Sequence, residues 1–181
     1  MNNTTSKVIW PDKVIFLDID GVLNSQDNLN MLHMSKHRAN MDVQSRDAFG
    51  QLFDERCVGW LRYICQMSDV GAICLISSWA IIDDCKIMWL KRNMPGYLLP
   101  SIYAEGFYDR FVAVPALVEK HDIKQYVILD DSTFENDKHF VQVISKFGLI
   151  RENALDAIQI LSGIVLQKDF LVLYAVALAA V

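Results

Sequence analysis

A three-layer α/β sandwich around a mainly parallel sheet is the fold class this sequence predicts, and three observations predict it. The runs Lys13–Leu17 (KVIFL), Gly71–Ile76 (GAICLI) and Tyr126–Leu129 (YVIL) are continuously apolar. Strands of that kind are buried on both faces, as in a parallel sheet covered by helices. Between them lie longer segments with helical spacing of apolar residues, so strands and helices alternate along the chain. The chain has 181 residues, 52% apolar and 22% charged. That is enough to bury one sizeable core, and it excludes disorder as the main state.

The elements follow in order. Lys13–Leu17 is the first strand, ended by the acidic turn Asp18-Ile19-Asp20-Gly21. Residues 24–54 are polar with no clean period and are expected to form a flap or small insert with one or two short helices. Glu55–Met67 carries an apolar helical stripe at 58, 60, 61, 64, 65 and 67. Gly71–Ile76 is the second strand, ended by Ser77 and Ser78. Ile81–Asn93 reads as a helix stopped by Met94-Pro95-Gly96, and Tyr97–Tyr103 as a short strand. A helix is expected over Val112–His121, with Pro115 in its first turn. Tyr126–Leu129 is a third buried strand, His139–Val143 a fourth, and Glu152–Leu161 a last helix. The domain reading is one α/β unit over residues 1–161 and an apolar tail over 162–181.

Composition narrows the function classes. Seventeen basic against 22 acidic residues give a net charge of −5. That argues against holding nucleic acid by bulk charge, though a local phosphate pocket stays open. Cys57, Cys65, Cys74 and Cys85 form no CxxC pair, which fits a reduced, cytoplasmic protein better than a disulfide scaffold or zinc site. The opening MNNTTSKVIWPDK lacks the apolar centre of a secretion signal. Phe170–Val181 (FLVLYAVALAAV) is uncharged but shorter than the roughly 20 residues a spanning helix needs. It is expected to pack on the core or on a second subunit, with membrane association of the tail as the alternative.

The chemistry lies at the strand ends. Ligands of open parallel sheets bind outside the carboxyl ends of the strands. If the three strands are neighbours, Asp18, Asp20, Ser77, Asp130 and Asp131 share one crevice. Four carboxylates there repel one another unless a cation joins them, and all-oxygen ligands suit a hard cation, most simply Mg²⁺. A carboxylate beside such a cation can attack phosphorus, and a second can act as general acid and base. Gly21 lets the backbone turn sharply after the acid pair, and Ser77 can donate its hydroxyl to a phosphoryl oxygen.

These motifs carry a resemblance. FLDIDGVLN resembles the first motif of haloacid dehalogenase-like (HAD) phosphatases, LISS the second and VILDD the fourth, in the same order from about Lys13 to Leu161. The chain is most similar to small, nearly capless members found beside RNA- and polynucleotide-repair enzymes, in which SSW and a YVILDD strand recur. The resemblance implies a Rossmann-like sheet, a minimal cap and Mg²⁺-dependent phosphomonoester hydrolysis through an aspartyl-phosphate. It implies Asp18 as nucleophile and metal ligand. Asp20 becomes the general acid/base, lending the metal its backbone carbonyl. Ser77 binds the phosphoryl group, with Ser78 and Gly21 beside it. Asp130 is a metal ligand, and Asp131 a direct or water-mediated one.

The family's third motif is a basic residue, usually Lys. Arg110, Lys120 and Lys124 are the candidates here. The helix before the last motif strand runs antiparallel to it, so its N-terminus faces the catalytic edge, which selects Arg110. Arg holds its charge and grips phosphate in a bidentate way. A second departure is Ala80, where close relatives often carry Arg after SSW; this motivates the alternative of a catalytically weak binding or regulatory module.

Other features have plain structural readings. His33 and His37 have metal-compatible spacing but no accompanying carboxylate motif. Trp60, Trp79 and Trp89 read as core or pocket wall, and Lys86, Lys91 and Arg92 as a solvated helix face. The expected substrate is a phosphorylated small molecule or polynucleotide end, the missing cap favouring a large one.

Overall fold

The structure is a computed structural model that describes residues 8–34, 53–81, 84–134 and 137–163. The expectations for the tail beyond Gly163, for His37 and for most of the 24–54 insert fall outside these residues. Five strands form one sheet: β1 (Lys13–Leu17), β2 (Ala72–Leu75), β3 (Tyr97–Leu98), β4 (Gln125–Asp130) and β5 (Phe140–Gln142). Their order is β3-β2-β1-β4-β5 and every pairing is parallel. The chain builds outward from β1 through β2 to β3, then crosses back to β4 on the other side of β1. Such a reversal opens a crevice at the carboxyl ends of the two central strands, here β1 and β4.

Alternation of side chains divides the core into two layers. Ile15, Leu17, Ile73, Leu75, Val127 and Leu129 face one way, against α2 (Glu55–Ser68), α3 (Asp84–Lys91) and α5 (Arg151–Ser162). Val14, Phe16, Ala72, Cys74 and Ile128 face the other way, against Ala113, Val114 and Leu117 of α4 (Arg110–Lys120). The result is the expected three-layer α/β sandwich with a Rossmann-like parallel sheet.

The insert leaves and re-enters through a narrow neck. Ser25 accepts from the Asn28 N–H at the start of α1 (Gln26–Met34) and donates to Asp54 at 2.7 Å. Asp54 in turn caps α2 by accepting from the Arg56 N–H. Each of these two buried residues thus caps one helix, and together they pin the two ends of the insert.

Three elements differ from expectation. The β3 strand stops at Leu98, because Pro100 has no N–H with which to continue the ladder. Of the expected Ile81–Asn93 helix, α3 covers Asp84–Lys91, and Ile81 closes a 3₁₀ turn that begins at Ser78. The α4 helix starts two residues early because Asp109 caps it, accepting from the Phe111 N–H at 2.8 Å. Pro115 therefore sits in the second turn, not the first, and the Phe111 carbonyl loses its partner within the helix. Among the described residues, no helix is long and apolar enough to cross a membrane.

Candidate active site

Register brings the acidic residues together. Leu17 pairs with Leu129 on one side and Leu75 on the other, so the next residue of each strand reaches the same edge. The Asp18 N–H donates to the Leu129 carbonyl at 3.0 Å, which holds Asp18 beside Asp130. Carboxylate oxygens of Asp18, Asp130 and Asp131 lie within 4.8 Å of one another. Asp18 and Asp130 are buried, and Asp131 is half-buried.

Arg110, the first residue of α4, enters this group. Its Nη1 donates to Asp18 Oδ2 at 2.8 Å and lies 2.9 Å from Asp130 Oδ2; its Nη2 donates to Ser132 Oγ at 2.8 Å. The other competing cations are elsewhere. Lys120 pairs with Glu105, and Lys124 with Asp122, at the far end of the same helix. The Arg110 side chain is about a quarter exposed.

Backbone N–H groups hold two of the three carboxylates. Asp18 Oδ1 accepts from the Ile19 N–H at 2.8 Å, and Asp130 Oδ1 from the Ser132 N–H at 2.8 Å. Asp130 Oδ2 is buried and, despite its closeness to Arg110, receives no aligned hydrogen bond. Burial pushes Asp130 up to about 6; the charges of Asp18 and Asp131 add to this, while the Ser132 N–H and Arg110 oppose it. Burial and the Asp18 charge also raise Asp131. For Arg110, burial works against its charge, but Asp130 and Asp18 outweigh that and keep its pKa above the ordinary value.

Gly21 is required on two counts. Its φ is +77°, and a Cβ there would lie 2.3 Å from Asp131 Oδ2. The tight turn after the acid pair is what lets Asp131 approach.

Asp20 stands apart from the carboxylate trio. Its Oδ2 accepts from Trp79 Nε1 at 2.9 Å and its Oδ1 faces Asn24 Nδ2 at 3.4 Å. Any share it takes in metal binding falls to its backbone carbonyl. Ser77 is buried at the end of β2, where its Oγ lies 3.4 Å from the Trp79 N–H; Ser78 is exposed at the start of the 3₁₀ turn. Among the described residues neither serine bonds to the carboxylate trio.

Sequence reasoning missed three neighbours: Ser132 as a partner of Arg110, and Trp79 and Asn24 as partners of Asp20. Two lie inside the motif strings DGVLN and SSW, so proximity to the motif was the available signal.

The group fits a divalent cation. Three carboxylates less one guanidinium leave two uncompensated negative charges. The donors are all oxygen, and Asp130 Oδ2 is a buried acceptor with no aligned donor. The four cysteines are free thiols, burial pushes Cys57 up to about 12 and Cys65 and Cys85 up to about 11, and none of them belongs to the acidic group.

No curated protein and no solved structure matches the chain significantly. One family does, described as the HAD domain in Swiss Army Knife RNA repair proteins, and its match spans residues 14–154, from β1 into α5. With the sheet order and the acidic crevice it encloses, this places the chain in that HAD family, whose type of chemistry is phosphoesterase-like.

Proposed function

We propose that the protein is a Mg²⁺-dependent phosphomonoester hydrolase that works through an aspartyl-phosphate on Asp18. The observation that carries this reading is the Arg110 guanidinium set between Asp18 and Asp130, with Asp131 completing the trio. Asp18, Asp130 and Asp131 would hold the cation, joined by the Asp20 carbonyl. When bound, the cation supplies positive charge against the phosphoryl oxygens.

The chain's own groups account for the proton and charge movements. Arg110 neutralises Asp18 enough for an anionic phosphate to approach, then holds phosphoryl oxygens as charge shifts. Asp18 attacks phosphorus, and the bond to the leaving alcohol breaks as Asp20 gives that oxygen a proton. The indole N–H of Trp79 and the amide of Asn24 donate to the two oxygens of Asp20 and hold its carboxyl in place. Asp20 then takes a proton from the water that attacks the acylphosphate, which restores Asp18 and frees phosphate. Ser77 would donate to a phosphoryl oxygen from the end of β2.

The family description supports a polynucleotide end as the phosphorylated substrate. Four free thiols, three of them buried, suit a reducing cytoplasm. Release of phosphate from 3′- or 5′-phosphorylated oligoribonucleotides in Mg²⁺, lost on chelation and in Asp18→Asn, tests the reading. Cation binding without turnover of any phosphate would instead favour the weak binding module that Ala80 and Arg110 suggest.

A further inference from the structure

The loop from β3 to α4 borders the crevice. The Ile102 N–H donates to the Leu75 carbonyl at 3.3 Å, so the loop passes the end of β2 two residues before Ser77. At its other end Arg110 reaches Asp18. Between these points stand Tyr103 and Tyr108, their rings edge to face with centroids 6.1 Å apart. Tyr108 is 85% exposed, whereas Ile102 is fully buried and Phe107 packs on the core.

A single exposed aromatic is ordinary. Tyr108 is set apart by its place. It is two residues from Arg110, a separation the backbone spans in roughly 7 Å at most. Its ring is braced from the side by Tyr103 and open to water on the rest of its surface. An aromatic face two residues along the chain from a cation that reaches Asp18 suits a ligand in which a phosphate is joined to a planar base. Sugar and aliphatic phosphates offer no such face.

We propose that Tyr108, braced by Tyr103, is a stacking wall for the base of a nucleoside-bearing phosphate. The proposal rests on the phosphoester reading above and names its substrate class. The base comes from a free nucleotide or from the terminal residue of a strand; both present the same face.

The test compares Tyr108→Ala and Tyr108→Trp with the wild-type chain on adenosine 3′- and 5′-monophosphate, on phosphorylated oligoadenylate and on glycerol 2-phosphate. Tyr108→Ala should raise KM for the base-bearing substrates roughly tenfold. Its kcat, and its KM for glycerol 2-phosphate, should not change. Tyr108→Trp should retain or improve the nucleotide KM. An effect on the oligonucleotides alone assigns the wall to strand ends; an effect on the mononucleotides as well assigns it to any nucleotide. Equal changes on all substrates, or none, overturn the proposal. Calorimetric binding of the same compounds to Asp18→Asn, with and without Tyr108→Ala, reads the wall without chemistry. If the wild-type chain hydrolyses nothing, the phosphoester reading fails, and the base-selective loss of binding still decides the proposal.

Discussion

Arg110→Ala removes the cation that sits between the buried carboxylates Asp18 and Asp130, and its cost should depend on pH in a stated direction. In the metal-free wild-type chain Asp130 has a folded pKa of about 6 against an ordinary 3.8. A carboxyl whose pKa is raised on folding favours the folded state while protonated, below about pH 4. That contribution is lost as pH rises through about 6. A shift of this size corresponds to about 3 kcal/mol, because Asp130 is fully buried. Removing Arg110 deletes an opposing charge 2.9 Å from Asp130 and moves its pKa further up. Breaking a buried pair from one side costs about 3–5 kcal/mol; the quarter exposure of Arg110 discounts this to about 2–3 kcal/mol. That cost should appear near pH 8, where Asp130 is ionised, and fall to about half near pH 4.5, where it carries a proton. Urea unfolding of both proteins in chelator at the two pH values measures the difference. A loss of equal size at both would refute the reasoning, and so would no loss at pH 8. Kinetically, Arg110→Ala should lower kcat by about 10²–10³, and Arg110→Lys should recover part of it.

Other outcomes follow from the same geometry. Asp18→Asn should abolish phosphate release while circular dichroism stays unchanged. Asp20→Asn should lower kcat by about 10²–10⁴, and Trp79→Phe, which removes the donor to Asp20 Oδ2, should lower kcat by less than Asp20→Asn does. Gly21→Ala should lower the melting temperature and weaken Mg²⁺ binding together, since its Cβ would displace the Asp131 carboxylate; binding that is unaffected would show that Asp131 takes no part. At a hundred times its Kd, Mg²⁺ should stabilise the folded chain by about 2.7 kcal/mol, and Asp130→Asn should remove most of that gain.

The sheet was legible because its strands are apolar on both faces, and short runs such as KVIFL, AICL and YVIL, alternating with helical segments, suit the centre of a covered parallel sheet. The edges were less legible. The β3 strand was overread because Pro100 ends its ladder although the residues beyond it are apolar. The start of α4 was misplaced because the apolar stripe begins after the polar cap: Asp109 sets the first turn, and Phe111 and Val112 are largely exposed. The acidic crevice could be read from three polar strand ends in step. Arg110 followed from topology, since only the N-terminus of that helix reaches the carboxyl edge. The partners of Asp20 could not be read. Trp79 looks like core, and its burial at 3% agrees, yet its indole N–H is spent on a carboxylate. Side-chain direction within a 3₁₀ turn has no signature in hydrophobic period.

Trapping the covalent intermediate tests the central claim most directly. The chain is mixed with a phosphorylated oligoribonucleotide carrying a radiolabelled phosphate in Mg²⁺ and quenched in acid within one turnover. The account predicts acid-stable label on the protein that hydroxylamine removes, that maps to the peptide containing Asp18, and that is absent in Asp18→Asn or in chelator. Phosphate released by the wild-type chain with no label ever on the protein, or label on a residue other than Asp18, would contradict it.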